Sequence, residues 1–466
     1  MQPDLELLRR AFELACSYLE TLDTRPVGAR ATRAQLLQAL GGPLPQRGED
    51  PTRALEGFVS AVEPGLSASA GPRYFGFVVG GSLPAAVAAD WLTAAWDQNA
   101  AFHVHSPAAA TVEEVTAGWV LGLLGLPPSA SVGFVTGGQM ANFTCLAAAR
   151  NEVLRRVGWD VERDGLIGAP PLRVLVGGDV HVTIPSALRM LGLGEGRMER
   201  VRADGQGRMI ASELARALEG KGGPTIVCAQ AGNVNSGAFD PVGELADLTR
   251  GHGAWLHVDG AFGLWAAASP SHRQRVPGLE KADSWATDGH KWLNVPYDSG
   301  LAITAHPDAH RAAVAARAPY LVLAQEARNP FEWVPEMSRR ARAFPLYLVL
   351  RTLGREGVAA LVDRCCALAR RMAEGLEREK GVRVLNDVVL NQALIRFEPP
   401  GGGDADALTR AVIARVQHDG VCWLGGTTWD GMSAMRISVS NWATTEADAD
   451  RSVRAILDAF QAEARG

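Results

Sequence analysis

The feature that most restricts the fold is a regular alternation of short apolar runs with longer amphipathic stretches over residues 132–258. Short runs rich in β-branched residues predict buried strands, and the stretches between them have helical spacing. This alternation predicts an α/β fold with a mostly parallel sheet, which binds ligands beyond the carboxyl ends of its strands. The predicted strands are 132–135, 174–176, 225–229 and 255–258, and the predicted helices are 139–157, 185–191 and 242–250.

The chain on either side of this region is organised differently. Helical spacing predicts an N-terminal helix over residues 1–24 and a short helix over 32–40. In the last third, predicted strands alternate with helices at 405–419 and 445–464; the strands are 382–389, 392–397, 421–424 and 435–439. We therefore predict an N-terminal helical segment (1–70), a large domain (71–345) and a smaller C-terminal α+β domain (346–466).

Composition excludes several classes of protein. Lysines and arginines number 46 and acidic residues 51, which gives a net charge of −5 without a basic block, so nucleic acid is not an expected partner. The six cysteines form no C-x-x-C pair, and no metal site is expected. No secretory signal or membrane span is predicted. Reduced thiols and the absence of a signal predict a cytoplasmic protein.

A lysine beside an indole, Lys291, stands at the centre of the segment SWATDGHKWLNVPYDSG, residues 284–300, which has few residues of the kind usually exposed. Lysine is rarely buried without a partner. In apolar surroundings it loses its proton readily and becomes a nucleophilic amine. The alternative is a lysine that runs along an amphipathic strand and keeps its ammonium group in solvent.

Two features at predicted strand ends suit charged ligands. The sequence TGGQ at residues 136–139 joins a strand to a helix, where free backbone N–H groups can bind an anion. The alternative is an ordinary tight turn. Asp259 ends the strand WLHVD, and a carboxylate there needs a cation or a hydrogen-bond donor. Its alternative role is to cap the following helix.

Two ring side chains are further candidates. His181 follows a predicted strand and can stack on an aromatic ligand, or it can be an ordinary buried histidine with satisfied hydrogen bonds. Tyr320 lies in a stretch of weak periodicity, residues 316–333, that predicts a long loop. Such loops are often functional lids. The alternative is a tyrosine that anchors the loop on the surface.

Together these segments resemble the pyridoxal-phosphate (PLP) dependent group II amino-acid decarboxylases, which include aromatic amino-acid, histidine and glutamate decarboxylases. The resemblance covers residues 70–460 and runs through GFVTGGQMANFTCLAAAR, HVDGAFG, DGHKW and RISVSNWATT. The HVDGA and DGHKW motifs with their spacing are its most specific part. The resemblance implies the type I PLP-dependent transferase fold with a mostly parallel seven-stranded sheet in the large domain. It also implies PLP as the cofactor and a homodimer with the active site at the interface.

The family motifs imply a role for each matching residue. The lysine of HKW, Lys291, forms the Schiff base with PLP, and the aspartate of HVD, Asp259, faces the pyridine nitrogen. A carboxylate there favours the protonated ring, which is the better electron sink. His181 stacks on the ring, Ala261 packs under it, Gly138 and Gln139 hold the phosphate with support from Asp288 and His290, and Tyr320 returns a proton after CO₂ leaves.

This chain departs from the family beside Asp259. Many relatives have a pair of threonines after the glycine of the turn, whereas residues 230–235 read QAGNVN. A threonine hydroxyl there often helps to hold the aspartate, and Val234 cannot replace it. We therefore expect Asn233 or Asn235 to hold Asp259.

The substrate side departs too. Ala101 and His103 stand where aromatic decarboxylases usually carry aromatic residues, and FVVG at 77–80 replaces an aromatic–proline run. The predicted substrate contacts are Phe77, Val78, Ala101 and His103. For a side-chain carboxylate, Arg73 is the only evident cation.

The predicted activity is decarboxylation of an L-amino acid to its amine and CO₂. Carbon–carbon lyases on the same scaffold usually have Tyr or Phe after the lysine, where Trp292 stands here. Aldehyde synthases usually lack the loop tyrosine, which is present here as Tyr320. A non-catalytic scaffold protein would not need Lys291, Asp259 and His181 together.

Overall fold

Seven strands form the central sheet. The structure is a computed structural model and describes residues 5–220, 222–316 and 327–465. The strands are β1 (Ser131–Val135), β2 (Arg173–Gly177), β3 (Met198–Val201), β4 (Thr225–Gln230), β5 (Trp255–Asp259), β6 (Ser284–Asp288) and β7 (Gly300–Thr304). Their order across the sheet is β1-β7-β6-β5-β4-β2-β3. Only β7 runs antiparallel to its neighbours, so β5 and β6, like β4, end at one edge of the sheet.

Three helices precede the sheet in the chain. They are α1 (Leu5–Glu20), α2 (Arg33–Leu40) and α3 (Pro51–Val62). Thr32 and Gln35 form a capping box at the start of α2, which confirms the predicted second helix. None of the three helices contains a fully buried residue. Leu8 of α1 and Phe58 of α3 remain 59% and 58% exposed, so this apolar surface lacks a cover within the described chain.

Helices cover both faces of the large sheet. They are α4 (Pro84–Trp96), α5 (Pro107–Leu124), α6 (Gly138–Arg155), α7 (Val161–Asp164), α8 (Thr183–Met190), α9 (Ala211–Leu218), α10 (Val242–Gly251) and α11 (Pro307–Val314). Every residue of β4 and β5 is buried, as expected for parallel strands covered on both faces. Trp255, Trp285 and Trp292 are fully buried in or next to this sheet.

A second, antiparallel sheet follows. Its strands β8 (Val382–Val384), β9 (Gln392–Phe397), β10 (Gly425–Trp429) and β11 (Met432–Ser438) lie in the order β10-β11-β9-β8. The long α12 (Ala343–Glu377) contacts α4 and α5 as well as β8 and β9, and bends at Gly354, where φ is 61°. The last helices, α13 (Ala405–Asp419) and α14 (Glu446–Glu463), pack against each other, and α13 also packs on the small sheet.

The predicted α/β fold, with its seven-stranded and smaller sheets, is confirmed. One predicted strand is wrong: residues 421–424 are not a strand, because Trp423 pairs with Tyr74 in an isolated bridge and β10 begins at Gly425. The predicted strand 382–389 is too long, because β8 covers only Val382–Val384. The predicted domain limits remain a prediction, and the second of them falls within α12. No helix in the described ranges is long and apolar enough to cross a membrane.

Candidate active site

The carboxyl ends of β5 and β6 and the start of α6 meet at one point. A Cβ atom added at Gly138 would lie 2.9 Å from Asp288 Oδ2 and 3.5 Å from Ala261 Cβ. The backbone carbonyl of Ala261 accepts a hydrogen bond from Asp288 N at 2.9 Å. Glycine at 138 is therefore required by the close approach of the helix start to the strand ends. This brings together three of the residues predicted from the sequence.

Lys291 lies beside this junction, and its amine contacts a carboxylate. Its Nζ is 3.1 Å from Asp288 Oδ2, and the side chain is 20% exposed. The expectation of apolar surroundings is therefore wrong for the amine of Lys291, which contacts a carboxylate. The loop on the substrate side packs on the lysine backbone, because a Cβ at Gly80 would come within 1.8 Å of the Lys291 carbonyl oxygen.

The start of α6 has the features of an anion site. Gly137 precedes the 18-residue helix and provides no side-chain cap, so the first N–H groups have no side-chain acceptor. A Cβ at Gly137 would lie 2.8 Å from His290 Cε1, which leaves room only for a glycine. Burial lowers the pKa of His290. The buried Oδ1 of Asp288 makes no hydrogen bond among the described residues, although His290 Nε2 lies 3.5 Å from it, so it can accept from a ligand.

Asp259 receives three hydrogen bonds from the protein. Asn142 Nδ2 donates to Oδ2 at 3.0 Å, Thr183 Oγ1 donates to Oδ2 at 3.3 Å, and Ala261 N donates to Oδ1 at 3.2 Å. Asp259 is 5% exposed, so this network satisfies a buried carboxylate. Asp259 does not cap the following helix, because the next helical segment, Gly263–Ala268, begins without a side-chain cap.

The expectation that Asn233 or Asn235 holds Asp259 is wrong. Asn233 Oδ1 accepts from the backbone N–H groups of Asn235 and Ser236, so this side chain closes its own turn. Asn235 Oδ1 instead accepts from Thr427 Oγ1 at 2.9 Å. Threonine still holds the aspartate, but it comes from the start of α8.

His181 lies at that same helix start. Its Nδ1 is 2.9 Å from Thr183 Oγ1, and its backbone N–H donates to Gln230 Oε1. Gln139 Nε2 donates to the Thr183 carbonyl, which connects the start of α6 to this segment. Burial lowers the pKa of His181, and the nearby Lys291 cation lowers it further against the opposing effect of Asp259. The ring is therefore neutral at neutral pH.

Arg436 on β11 is a candidate that the sequence reasoning missed. Its charge also lowers the pKa of His181, which places it near the site. Burial lowers the pKa of Arg436 itself, and its Nη1 donates to Asn235 Oδ1 at 3.3 Å. Within the described ranges it has no carboxylate partner. The sequence feature that could have indicated Arg436 is an arginine within an otherwise apolar predicted strand, in the RISVSNW motif.

The loop that contains Phe77 and Val78 has a strained backbone. Both residues have φ of 54°, which is unfavourable for a phenylalanine and more so for a β-branched valine. The Phe77 ring packs on Trp423 and is 62% exposed, whereas Val78 is buried. Such strain concentrates at functional sites.

Arg73 is not available for a substrate, so that suggestion is wrong. Its side chain is 3% exposed and pairs with Asp448 at 3.2 Å. It also donates to the backbone carbonyls of Val421 and Asp23. Arg73 therefore ties the chain before the Phe77 loop to the small sheet region.

Ala101 is buried, and its carbonyl accepts from Phe331 N at 3.0 Å. Arg339 fixes the same segment, because it donates to the carbonyls of Ala100 and Phe134 and pairs with Glu113 at 2.6 Å. His103 is half-buried in the turn that follows. Tyr320 lies outside the described residues.

The described pocket fits PLP, which carries a phosphate at one end and a pyridine nitrogen at the other. The uncapped helix start offers N–H groups for an anion. Asp259 offers a carboxylate that bonds to the backbone of Ala261, and Lys291 offers an amine next to Asp288. The Asp288 oxygen that lacks a hydrogen bond is explained by a small polar ligand.

Comparison with known proteins agrees with this fit. Residues 34–398 match the pyridoxal-dependent decarboxylase conserved domain. An aromatic-L-amino-acid decarboxylase of Bacillus atrophaeus is 27% identical over 94% of this chain and 91% of its own length. An L-2,4-diaminobutyrate decarboxylase of Rhizobium meliloti (strain 1021) is 32% identical over 82% of this chain and 75% of its own.

The fold has a counterpart among solved structures. The crystal structure of Oryza sativa TDC with PLP and tryptamine superposes with a TM-score of 0.92 at 23% identity, over 99% of each chain. The alternatives of another PLP enzyme on the same scaffold, whether a carbon–carbon lyase or an aldehyde synthase, and of a non-catalytic scaffold protein are less favoured by these relatives. PLP is the cofactor, and the reaction is the decarboxylation of an amino acid. The chain belongs to the pyridoxal-dependent decarboxylase family.

Proposed function

We propose that Lys291 is the point at which PLP attaches covalently and that the site around it converts an L-amino acid to its amine and CO₂. The observation that carries the proposal is the position of Lys291 Nζ, 3.1 Å from Asp288 and next to the junction of β5, β6 and α6. The sequence adds an argument. The chain has only four lysines among its 46 basic residues, namely Lys221, Lys281, Lys291 and Lys380. Arginine is its usual cation, so an interior lysine indicates a need for an amine.

We infer the other roles from the same geometry. Asp259 faces the ring nitrogen, because both of its oxygens accept hydrogen bonds from the protein. One of these bonds comes from the backbone of Ala261, which adjoins the start of α6. The neutral His181 stacks on the ring and Ala261 lines its other side. The phosphate lies at the start of α6, held by the backbone at Gly138 and Gln139 and supported by His290 and Asp288.

Bound PLP supplies a sink for the electron pair that remains on carbon when CO₂ leaves. The protein must orient the carboxylate that departs, protect the site from water and return a proton to that carbon. His181 keeps its ring neutral and hence suited to stacking. The residues proposed to shape the substrate pocket are Phe77, Val78, Ala101 and His103.

The test of the attachment point is chemical. The holoenzyme is expected to be yellow, and borohydride should fix the cofactor to the chain. Peptide mapping then has four candidate lysines, of which Lys281 pairs with Asp247 at the surface. Label at Lys291 alone is the expected result. Label at any other lysine, or a protein that stays colourless after PLP is added, contradicts the proposal.

Arg436 is proposed to bind the carboxylate of the amino-acid substrate, because a desolvated guanidinium without a carboxylate partner needs an anion. Arg436→Met should raise KM about 10- to 100-fold and leave PLP content unchanged, since one charged hydrogen-bonding partner is lost. Steady-state kinetics checks this. Arg410→Met, which removes an exposed arginine of α13, is the matched control. An unchanged KM in the Arg436 variant would remove the assignment.

Tyr320 is proposed to return the proton, as the family resemblance implies. Tyr320→Phe should lower amine formation about 100-fold, which is a typical effect of losing a general acid. Aldehyde, ammonia and hydrogen peroxide should appear instead of amine, with consumption of O₂ and water. Amine, aldehyde and peroxide are measured together on one substrate. Unchanged amine output shows that another group delivers the proton.

We propose a homodimer with the active site at the interface. Supporting it, the exposed apolar residues of α1 and α3 continue across Trp91 and Trp96 of α4, which are 40% and 53% exposed. A groove lined by Trp96, Phe344 and Tyr347 adjoins this surface. We also propose a cytoplasmic location, supported by six free cysteines, five of them buried.

A further inference from the structure

A line of four buried polar side chains leads through the interior of the sheet to Asp259. Trp255, Ser284, His257 and Asn142 are each 0% exposed. The links are Trp255 Nε1 to Ser284 Oγ, Ser284 Oγ to His257 Nδ1 and His257 Nε2 to Asn142 Oδ1, each 2.9 Å. Asn142 Nδ2 reaches Asp259 Oδ2 at 3.0 Å. We call these four residues the Asn142–His257 relay.

The direction of the hydrogen bonds follows from the end at Asp259. A carboxylate only accepts, so Asn142 must turn its NH₂ group towards Asp259 and its carbonyl oxygen towards His257. The His257 ring must then carry its proton on Nε2, because that nitrogen donates to the amide oxygen. Asn142 also donates to Thr183 Oγ1 at 3.1 Å, which fits the same orientation of its amide.

The opposite end is compatible with the same direction. The indole of Trp255 only donates, so the Ser284 hydroxyl accepts from it and has its own hydrogen free for His257 Nδ1. That nitrogen must be unprotonated to accept. Burial lowers the pKa of His257 to about 4, so the ring holds a single proton at neutral pH. The Asp259 end therefore specifies the tautomer of His257, and the Trp255 end can accommodate it.

The backbone fixes these positions. Trp255, His257 and Asp259 alternate along β5 and so face the same side of the sheet. Ser284 lies opposite His257 in the β5–β6 register. Asn142 comes from the second turn of α6, which packs on that face. No group in the relay has to move for Asp259 to be held, which is the arrangement that preorganised sites use.

We propose that Asn142 and His257 are positioning residues, which orient Asp259 so that its remaining acceptor position faces the ring nitrogen of PLP. An ionised carboxylate has about four acceptor positions. Asn142, Thr183 and Ala261 occupy three of them, which leaves about one for a ligand. The inference rests on the proposed role of Asp259 and goes beyond it by assigning two residues that act through it.

The test compares two ligands of the full-length apoprotein. One is PLP, and the other is its analogue with C–H in place of the ring nitrogen. Both bond to Lys291 in the same way, so the ratio of their dissociation constants isolates the ring nitrogen. Wild type should prefer PLP. Asn142→Ala and His257→Phe should each reduce this preference about 10-fold, as expected for the loss of a hydrogen bond to a charged group.

Three further variants make the result specific. Asn142→Asp keeps the size of the side chain and its bond to His257 but removes the donor, so it should also lose the preference. His257→Gln keeps one donor and one acceptor and should recover part of what His257→Phe loses. Thr144→Val alters another buried residue of α6, whose hydroxyl has no partner in the described structure, and should leave the ratio unchanged.

The outcomes distinguish a failure of the proposed role of Asp259 from a failure of the roles inferred for Asn142 and His257. If Asp259→Asn lowers the ratio and the Asn142 and His257 variants weaken both ligands equally, their role is only structural and the inference is wrong. If Asp259→Asn itself leaves the ratio unchanged, the proposed role of Asp259 fails and the inference fails with it. If His257→Phe does not fold, the two Asn142 variants decide the question.

Discussion

Replacement of Lys291 by alanine should reduce turnover by at least about 10³-fold, because the amine is the proposed point of covalent attachment of the cofactor. The variant should still bind PLP, but more weakly. The start of α6, His181 and Asp259 remain, and none of them depends on the amine. Dialysis should therefore release the cofactor from the variant, whereas wild type retains it. Amine formation and the absorbance of bound cofactor measure the two effects separately.

Lys291→Arg is the matched control for this experiment. Arginine keeps the positive charge next to Asp288, but its guanidinium does not act as a nucleophile. If the lysine served only to neutralise Asp288, the arginine variant would keep most of the activity. We expect it to be as inactive as the alanine variant. Measurable turnover in either one, with PLP bound, would show that the attachment point is misassigned.

The sequence predicted four of the seven strands of the large sheet, β1, β2, β4 and β5, because these have a clear apolar pattern, but it missed β3, β6 and β7. The exceptions have physical causes. Strand β6 reads SWATD, and its polar residues Ser284, Thr287 and Asp288 are all buried. Such a strand gives no apolar run, so it was not predicted as a separate element. Their burial is possible because Ser284 bonds to Trp255 and His257, Thr287 to the Ala261 carbonyl, and Asp288 to Lys291.

Some residues of the site could be predicted from the sequence and others could not. Gly138, Asp259, Asp288 and Lys291 stand in continuous motifs, so one sequence was enough to select them. The residues that complete the site, Thr183, Asn142 and Arg436, meet it through tertiary contacts from α8, α6 and β11. Sequence spacing carries no information about such contacts. The sequence therefore suggested Asn233 and Asn235 as partners of Asp259, because they follow β4 in the turn where relatives have threonines. In the structure both side chains bond elsewhere.

Asp259→Asn should lower kcat by about 10²- to 10³-fold while the protein still takes up PLP. The substitution keeps the size of the side chain and removes the charge that would stabilise a protonated ring nitrogen. The loss belongs in kcat because that charge matters most when electrons enter the ring. KM should change little, since the group proposed to bind the substrate carboxylate, Arg436, is untouched.

Asp259→Glu separates charge from position in this prediction. It keeps the negative charge but moves the carboxylate by one methylene, away from the donors Asn142, Thr183 and Ala261. If charge alone were sufficient, the glutamate variant would recover most of the activity. We expect only partial recovery, because the three donors fix where the carboxylate can lie and the longer side chain cannot meet them all. An Asp259→Asn variant with wild-type kcat would mean that decarboxylation here does not depend on a protonated ring nitrogen, and the carboxylate would then be only a structural partner of α6 and α8.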